Sequence, residues 1–570
     1  MDMLKIPHIL HFCLYLLLVL TVRAENVNQK FIFSALIEND EISNIGVVND
    51  IIGVLTLQEY GILGAGTRTA VIEGGTFWKD HIGFENSTIG EQFIPTSLND
   101  GDFISEHMTF CASIIGGHGP IDEDGNISLL TLGIAPKTEI CSGSTGTATS
   151  TNIQYYYSTY KHFFEVSPVD VISTSSSPII SKTEIAQPLY QALIDAFACR
   201  NTKTTFVAAA GNDGPDDNTI CHVGLNYNGI TVGALTDPIS FDSVADFSSR
   251  GASDFYNPKT DKTLTNVRAG IDILAPGDNI AVALYDSSDT TNTDTYTIAS
   301  GTSFAAPIVA GTVSLLVSLS KEFEADASMI EKGWSADARD SRVIKAVLLN
   351  SATKIDGWDN GQAKHDSVEI AVEKNASYSM KQTYENVIVT SQSLDYASGA
   401  GALNAEKALE QYIDFSSGGW ILDDVALYDY DLWSIGEIEA GDTLTATLVW
   451  MIQNSIIETE TAAEDGTIST ELSDIDLNTF ADLNLEIWRK DDDGLTAVAL
   501  SNSIYNNVEH LHILIEESGD YYIRVFFEDI VYGDTDSETY ALAFSIVPEP
   551  AIMATILGLF ALCFCLRNRK

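Results

Sequence analysis

"SGTSFAAPIVAG", residues 300–311, is the stretch on which the reading of this chain turns. Ser303 opens an apolar run just after Gly301, a residue that permits a sharp bend. The run that follows has the composition of a buried helix. A helix N-terminus presents N–H groups that lack intrahelical acceptors, together with the positive end of the peptide dipole. A serine placed there can attack an electrophile and have the developing oxyanion held. Taken alone, the same serine is an ordinary cap. The sequence on either side chooses between the two readings.

Working outward, residues from about 65 to 320 alternate between two textures. Short apolar runs, "TAVIEG", "VDVIST", "TFVAAAG" and "GITVGA", are separated by longer segments such as the helix-like "IAQPLYQALIDAFAC". This predicts an α/β domain with a mostly parallel sheet and flanking helices. "SRVIKAVLLN" at 341–350 and "GAGALNAEKALEQY" near 400 predict two later helices. In "AVIEGG", residues 70–75, a strand ends in one carboxylate before the chain turns at Gly74-Gly75. A buried carboxylate needs a cationic or hydrogen-bonding partner. In "AAAGNDG", Asn212 follows Gly211 at the end of another strand, where its amide can donate to an oxyanion. By itself that string is a turn.

These pieces stand in register. "GTSFAAP" resembles the Gly-Thr-Ser-x-Ala-x-Pro motif of subtilisin-like serine proteases, the subtilase family. The resemblance runs from about residue 60 to 410. It includes "GIAPKTEI" at 133–140, "VAAAGNDGP" at 207–215, "GITVGA" at 229–234, "ILAPGDNI" at 273–280, "IKAVLLNSAT" at 344–353 and "GAGALNAEKAL" at 399–409. It implies a subtilisin-like fold and peptide-bond hydrolysis, with Ser303 as nucleophile and Asn212 as oxyanion donor. "EHMTFCASIIGG" at 106–117 resembles the family's His-Gly-Thr segment, which implies His107 as general base. Glu73 aligns with the triad aspartate, and the order acid, histidine, serine is the subtilase order. Asp80, beyond the strand end, and Glu106, adjoining His107, are the alternative carboxylate partners. "STSSSP" at 173–178 resembles the substrate-aligning strand, which implies substrate contacts at Ser175, Ser176, Ser177 and Gly211.

The chain departs from the family in four places. Glutamate replaces aspartate at 73. Met108 stands where a small glycine is usual, a place where its side chain would crowd the cleft. Ser176-Ser177 replace Leu-Gly. About 50 residues separate Ala24 from Glu73, too few for the usual inhibitory prodomain plus the first strand, so folding without that assistant is expected. Glu73 and Met108 motivate an alternative, a catalytically decayed relative that binds peptides or matrix protein. A third reading is a structural surface protein whose β domain binds polysaccharide.

After residue 413 the texture changes. "DTLTATLVWMI", "DLNLEIWRK", "HLHILIEES", "DYYIRVFFE" and "TYALAFSIV" alternate apolar and polar residues between Gly, Asp and Asn turns. Residues 413–547 therefore read as an all-β sandwich, jelly-roll-like, behind a peptidase domain at 25–412. "LVW" at 448–450, "ADLNLEIW" at 481–488 and "NNVEHLHI" at 506–513 resemble the C-terminal sandwich of certain large alkaline subtilases. The Asp/Glu/Thr/Ser-rich stretch 455–475 reads as a long solvated loop.

Both ends are specialised. Residues 1–24 carry Lys5, the apolar "ILHFCLYLLLVL" and "VRA", the pattern of a secretory signal peptide. Residues 548–570, "VPEPAIMATILGLFALCFCLRNRK" without its first residue, hold an apolar helix segment followed by Arg567, Arg569 and Lys570. This tail resembles the PEP-CTERM sorting signal. The resemblance implies a transient membrane anchor, recognition by a membrane sorting enzyme, and a final location at the cell surface, outer envelope or extracellular matrix.

Acids outnumber bases 80 to 30, for a formal charge of −50, which argues against nucleic acid as a partner. Protein or peptide substrates are expected instead. The chemistry requires no cofactor, while the acidic residues Asp474, Asp476 and Asp482 raise structural calcium as an expectation. Of seven cysteines, Cys111, Cys141, Cys199 and Cys221 lie in the exported body. Four allow three full pairings. Cys111, four residues after His107, is expected as a free thiol. Cys199 and Cys221, flanking "TFVAAAG", are the expected disulfide, with Cys141 as the alternative partner.

Overall fold

The computed structural model describes residues 45–95, 98, 103–121, 132–147, 150–178, 189–236, 240–331, 333–413, 418–462, 468–492 and 494–548. The leader at 1–24 and the tail from 549 onward lie outside the described residues.

The first layer is a parallel sheet. Its strands are β1 (Arg68–Glu73), β2 (Thr88–Phe93), β3 (Glu139–Ser144), β4 (Val171–Thr174), β5 (Thr205–Ala209), β6 (Ile230–Thr236) and β7 (Ile273–Pro276). Their order is β7-β6-β5-β4-β1-β3-β2, all pairs parallel, with a two-residue strand added antiparallel on β6. The order reverses at β1, which lies between β3 and β4. In open α/β sheets, ligands bind outside the carboxyl ends of the strands at such a reversal. Glu73 is the last residue of β1.

Helices α1 (Glu106–Gly116), α2 (Ile153–Lys161), α3 (Leu189–Arg200), α4 (Thr302–Ala325) and α5 (Ser341–Ser351) pack around this sheet. Helix α4 is long and apolar enough to cross a membrane, but its apolar window is wholly buried in protein. A helix apolar all round belongs in a core. It touches β4 to β7 and α1, so the motif at its N-terminus is anchored by the centre of the domain.

The second unit is a sandwich. Strands β8 (Gly418–Ala426), β9 (Tyr430–Ile438), β10 (Thr443–Trp450), β11 (Gln453–Ala462), β12 (Ile468–Asp491), β13 (Gly494–Ser501), β14 (Val508–Leu514), β15 (Gly519–Tyr532) and β16 (Ser537–Val547) form two sheets. One has the order β8-β16-β10-β14. The other runs from strands at Ala363–His365 and Val387–Thr390 through β13, β12 and β15 to β9. The α/β-plus-sandwich architecture expected from the sequence is therefore present. The first of these sheets packs on α5, where Asn350 Nδ2 donates to Ser545 Oγ and Thr447 Oγ1 donates to Asn350 Oδ1, both at 3.0 Å.

Two expectations fail. The stretch 455–475 is no solvated loop. Its described residues belong to β11 and β12, which form a hairpin arm laid over α2 and α3. Ile456 and Ile475 enter the aromatic cluster of Tyr156, Tyr157 and Phe163. Glu458 Oε1 accepts from Tyr157 Oη at 2.7 Å and from Lys161 Nζ at 2.9 Å. Glu460, Glu471, Asp474 and Asp476 are exposed, while Ile456 and Ile475 are buried. The expected disulfide between Cys199 and Cys221 is also not formed. Flanking a strand puts two residues at its opposite ends, and the five residues of β5 span roughly 13–17 Å. A disulfide needs Cα atoms within about 7 Å. Each thiol instead donates to a carbonyl, Cys199 to Ile452 and Cys221 to Ala209.

Candidate active site

Three element ends converge above the carboxyl edge of the sheet. Glu73 comes from the end of β1, almost fully buried. The chain can turn there because Gly75 has φ +84°, and an added Cβ would lie 2.6 Å from the Phe103 carbonyl oxygen. His107 comes from the first turn of α1, whose N-cap Ser105 accepts from the Met108 amide at 3.2 Å. Ser303 comes from the first turn of α4, just after Gly301.

The His107 ring donates from Nδ1 to Glu73 Oε2 at 2.7 Å. Asp80 and Glu106, the alternative partners considered from sequence, are exposed. The added methylene of glutamate is thus accommodated without losing contact. The facing carboxylate raises the His107 pKa above the ordinary 6.5, against the opposing effect of burial. The Phe304 ring lies 5.7 Å from the imidazole, centroid to centroid. Met108 does not crowd the cleft. One residue along a helix turns a side chain by about 100°, and Met108 is fully buried in the main core.

Asn212 sits at the end of β5, on a turn that needs glycine. Gly211 has φ +110°, and an added Cβ would lie 2.9 Å from Ser249 Oγ. Asn212 Oδ1 accepts from the Thr302 amide at 2.9 Å and from Thr302 Oγ1 at 3.1 Å. Thr302 Oγ1 in turn accepts from the Gly211 amide at 3.0 Å. With its oxygen committed to these donors, the amide orientation is fixed and Nδ2 is left to donate elsewhere. The Ser303 amide belongs to the first helical turn, whose N–H groups have no intrahelical acceptor.

Ser175 follows directly on β4 and reaches Ser303 twice. Ser175 Oγ donates to the Ser303 carbonyl at 2.9 Å, and Ser303 Oγ donates to the Ser175 carbonyl at 3.3 Å. Ser176 and Ser177 continue that segment, half-buried, and Gly211 follows the carboxyl end of the neighbouring strand β5. Cys111, on the same face of α1 as His107, donates from Sγ to the Ser303 carbonyl at 3.3 Å. Burial pushes this thiol up to about 11, so it is protonated at neutral pH. Two of these links were missed from sequence, the Ser175 and Cys111 ties to the Ser303 carbonyl. Their signal was Pro307, which removes the N–H that a helix would offer that carbonyl.

Glu73, His107 and Cys111 also form a group of metal-type ligands, their donor atoms within 4.8 Å of one another. Asp474, Asp476 and Asp482 do not form such a group among the described residues. Asp474 and Asp476 lie on the arm part of β12, and Asp482 is buried farther along the same strand. Repulsion from Glu528 and Asp529, added to the larger effect of burial, raises the Asp482 pKa to about 7.

Comparison with known proteins gives the following. The model of the Subtilase family (Peptidase_S8) matches residues 84–368, a span that contains His107, Asn212 and Ser303 and begins after Glu73. Serine protease AprX of Bacillus subtilis (strain 168) is 26% identical, over 52% of this chain and 67% of its own. Subtilisin-like protease 2 of Arthroderma otae is 30% identical, over 42% and 47% respectively. The chain thus spans two thirds of the first relative's length and about half of the second's. The solved structure of the prenylagaramide maturation protease PagA covers 63% of this chain and 98% of its own, at 21% identity and a TM-score of 0.40.

Proposed function

The chain belongs to the subtilase family of serine endopeptidases, and we propose that it cleaves protein or peptide substrates through a Ser303–His107–Glu73 triad. The observation that carries this reading is the 2.7 Å bond from His107 Nδ1 to Glu73, on a helix whose Cys111 reaches the carbonyl of Ser303 at the start of α4. Ser303 Oγ attacks the scissile carbonyl carbon, and His107 Nε2 takes its proton. The C–N bond then breaks as His107 returns that proton to the leaving amine, and water, deprotonated by His107, cleaves the acyl–Ser303 ester to release the acid and return the proton to Ser303. Glu73 holds the ring in the tautomer that keeps Nε2 free, and it stabilises the imidazolium. Asn212 Nδ2 and the Ser303 N–H hold the oxyanion. Ser175, Ser176, Ser177 and Gly211 line the edge along which the substrate backbone lies.

The burial of Met108 and the intact His107–Glu73 bond favour an active site over a decayed one. The test is hydrolysis of casein by the wild type and by Ser303→Ala, with fluorophosphonate labelling in parallel. Loss of both in the mutant supports the reading. Equal hydrolysis by the two proteins refutes it.

The same proposal places the enzyme outside the cell. The leader at 1–24, the strongly acidic composition and the Pro548-Glu549-Pro550 tail support export, transient anchoring, recognition by a membrane sorting enzyme, and release to the surface or matrix. Mass spectrometry of the surface form should find the apolar tail gone. An intact Lys570 terminus would make the tail a permanent anchor. Calcium as a structural ion is tested by the melting temperature with and without a chelator.

A further inference from the structure

The carbonyl of Ser303 has lost its helical partner. In an α-helix the carbonyl of residue 303 accepts from the N–H of residue 307. Residue 307 is proline, inside α4, and has no N–H to give. A buried carbonyl left without a donor is costly, so the fold has to supply one from elsewhere. It supplies two, Ser175 Oγ at 2.9 Å and Cys111 Sγ at 3.3 Å. The proton positions follow without choice. A carbonyl oxygen only accepts, so the Ser175 hydroxyl and the Cys111 thiol are the donors.

We infer that Ser175 is a positioning residue for the nucleophile, acting through the backbone carbonyl that Pro307 leaves open. Ser175 and Cys111 come from different elements. Ser175 follows β4, along the edge read as the substrate side, and Cys111 lies one turn from His107 on the base-bearing helix. The Ser303 carbonyl is therefore the point where nucleophile, base helix and substrate edge are tied together. Ser175 holds Ser303 from a second direction as well, because its own carbonyl accepts the Ser303 hydroxyl. This pair of bonds fixes the residue at both its backbone and its side chain before substrate arrives. For attack the Ser303 hydroxyl has to leave the Ser175 carbonyl for His107, while the backbone stays held at its carbonyl. Small errors in nucleophile placement are expensive in rate, which gives a positioning bond leverage on turnover.

The inference rests on the protease reading and is separable from it in one experiment. The full exported chain is assayed as wild type, Ser175→Ala, Pro307→Ala and the double mutant. Fluorophosphonate labelling rate, kcat and KM on an unstructured substrate are measured. Ser175→Ala keeps the backbone carbonyl that a substrate strand would meet, and it removes only the hydroxyl. It should lower labelling and kcat by about tenfold, the size expected for one buried hydrogen bond acting on the transition state, with KM within about twofold. Pro307→Ala restores an N–H to the Ser303 carbonyl, so adding Ser175→Ala to it should cost less than about twofold. A Ser175→Ala protein with unchanged labelling, or one altered in KM alone, would overturn the inference. So would an undiminished penalty in the Pro307→Ala background. If Pro307→Ala fails to fold, the labelling rate and the kcat-against-KM split of Ser175→Ala decide. A wild type that neither labels nor cleaves removes the protease reading and takes this inference with it.

Discussion

Two buried glutamates sit in the two halves of this molecule, and their surroundings differ in one respect. Glu73, at the end of β1, faces the His107 imidazole. Glu509, on β14 in the sandwich, is fully buried and bonded to the Ser501 hydroxyl and the Ser503 amide, with a 2.7 Å contact to the latter. Ser501 and Ser503 are neutral donors, and burial pushes the Glu509 pKa well above its ordinary 4.5. The Glu73 carboxylate instead raises its partner's pKa. Burial by itself makes a neutral structural acid. Burial beside a titratable ring, at a strand end that opens onto a cleft, makes a group that can steer a proton.

The sharpest way to break this comparison is to replace each glutamate by glutamine. Glu73→Gln should lower turnover by about 10⁴-fold, as the analogous change does in another serine protease triad, because the amide favours the wrong tautomer of His107. Glu73→Asp should be much milder, since charge and acceptor atoms survive and only reach is lost. Circular dichroism should show both variants folded. An active wild type with an unimpaired Glu73→Gln would end the assignment.

Asn212→Ala comes next. Removing one oxyanion donor costs about 10²–10³-fold in kcat, a value established within this same family. The fixed orientation of the Asn212 amide by Thr302 predicts that kcat falls and KM holds. A change confined to KM would put the oxyanion elsewhere.

The arm gives a smaller, structural effect. Glu458→Ala removes an acceptor shared by Tyr157, Lys161 and Arg200, all on the catalytic unit. The pair is part-exposed, so the cost should be about 1 kcal/mol, read as a lower melting temperature with kcat unchanged. A loss of several times that size would mean that the arm supports the catalytic fold itself.

Glu509→Gln should have the smallest effect at acid pH. A carboxyl whose folded pKa lies above its unfolded value stabilises the fold at low pH. That contribution is lost as pH rises from about 4.5 through the folded value. Glutamine can donate to Ser501 without titrating, so the variant should gain stability relative to wild type as pH rises. Denaturant melts at two pH values check this. An unchanged pH slope would show that Glu509 is not the group responsible.

Much of the catalytic unit was legible in the sequence. The parallel strands announced themselves as short apolar runs, and the string around Ser303 carried both the helix start and its chemistry. What stayed hidden depended on partners remote in sequence. The 455–475 stretch looks solvated because its acids outnumber Ile456, Leu472 and Ile475. The helices that cover those residues lie about 300 positions earlier, where Gln154 Nε2 donates to the Leu472 carbonyl at 2.7 Å. Met108 looked like an obstruction because a substitution says nothing about which way a helical side chain turns. Cys199 and Cys221 looked paired because flanking one strand in sequence suggests nearness, while a strand is the structure that holds its ends apart. Pro307 was in plain view, but its consequence lies four residues back and on two other elements.

The central claim is that Glu73 governs the protonation of His107. The most direct test is an NMR titration of the His107 ring in the resting protein, in wild type and in Glu73→Gln. The wild-type ring should titrate above 6.5, because the facing carboxylate favours the imidazolium, and Glu73→Gln should move it down. In the same proteins the acid limb of the pH–rate profile should move with it, since His107 must be neutral to accept the Ser303 proton. A ring that titrates at or below 6.5 in the wild type, or at the same pH in both proteins, would contradict it.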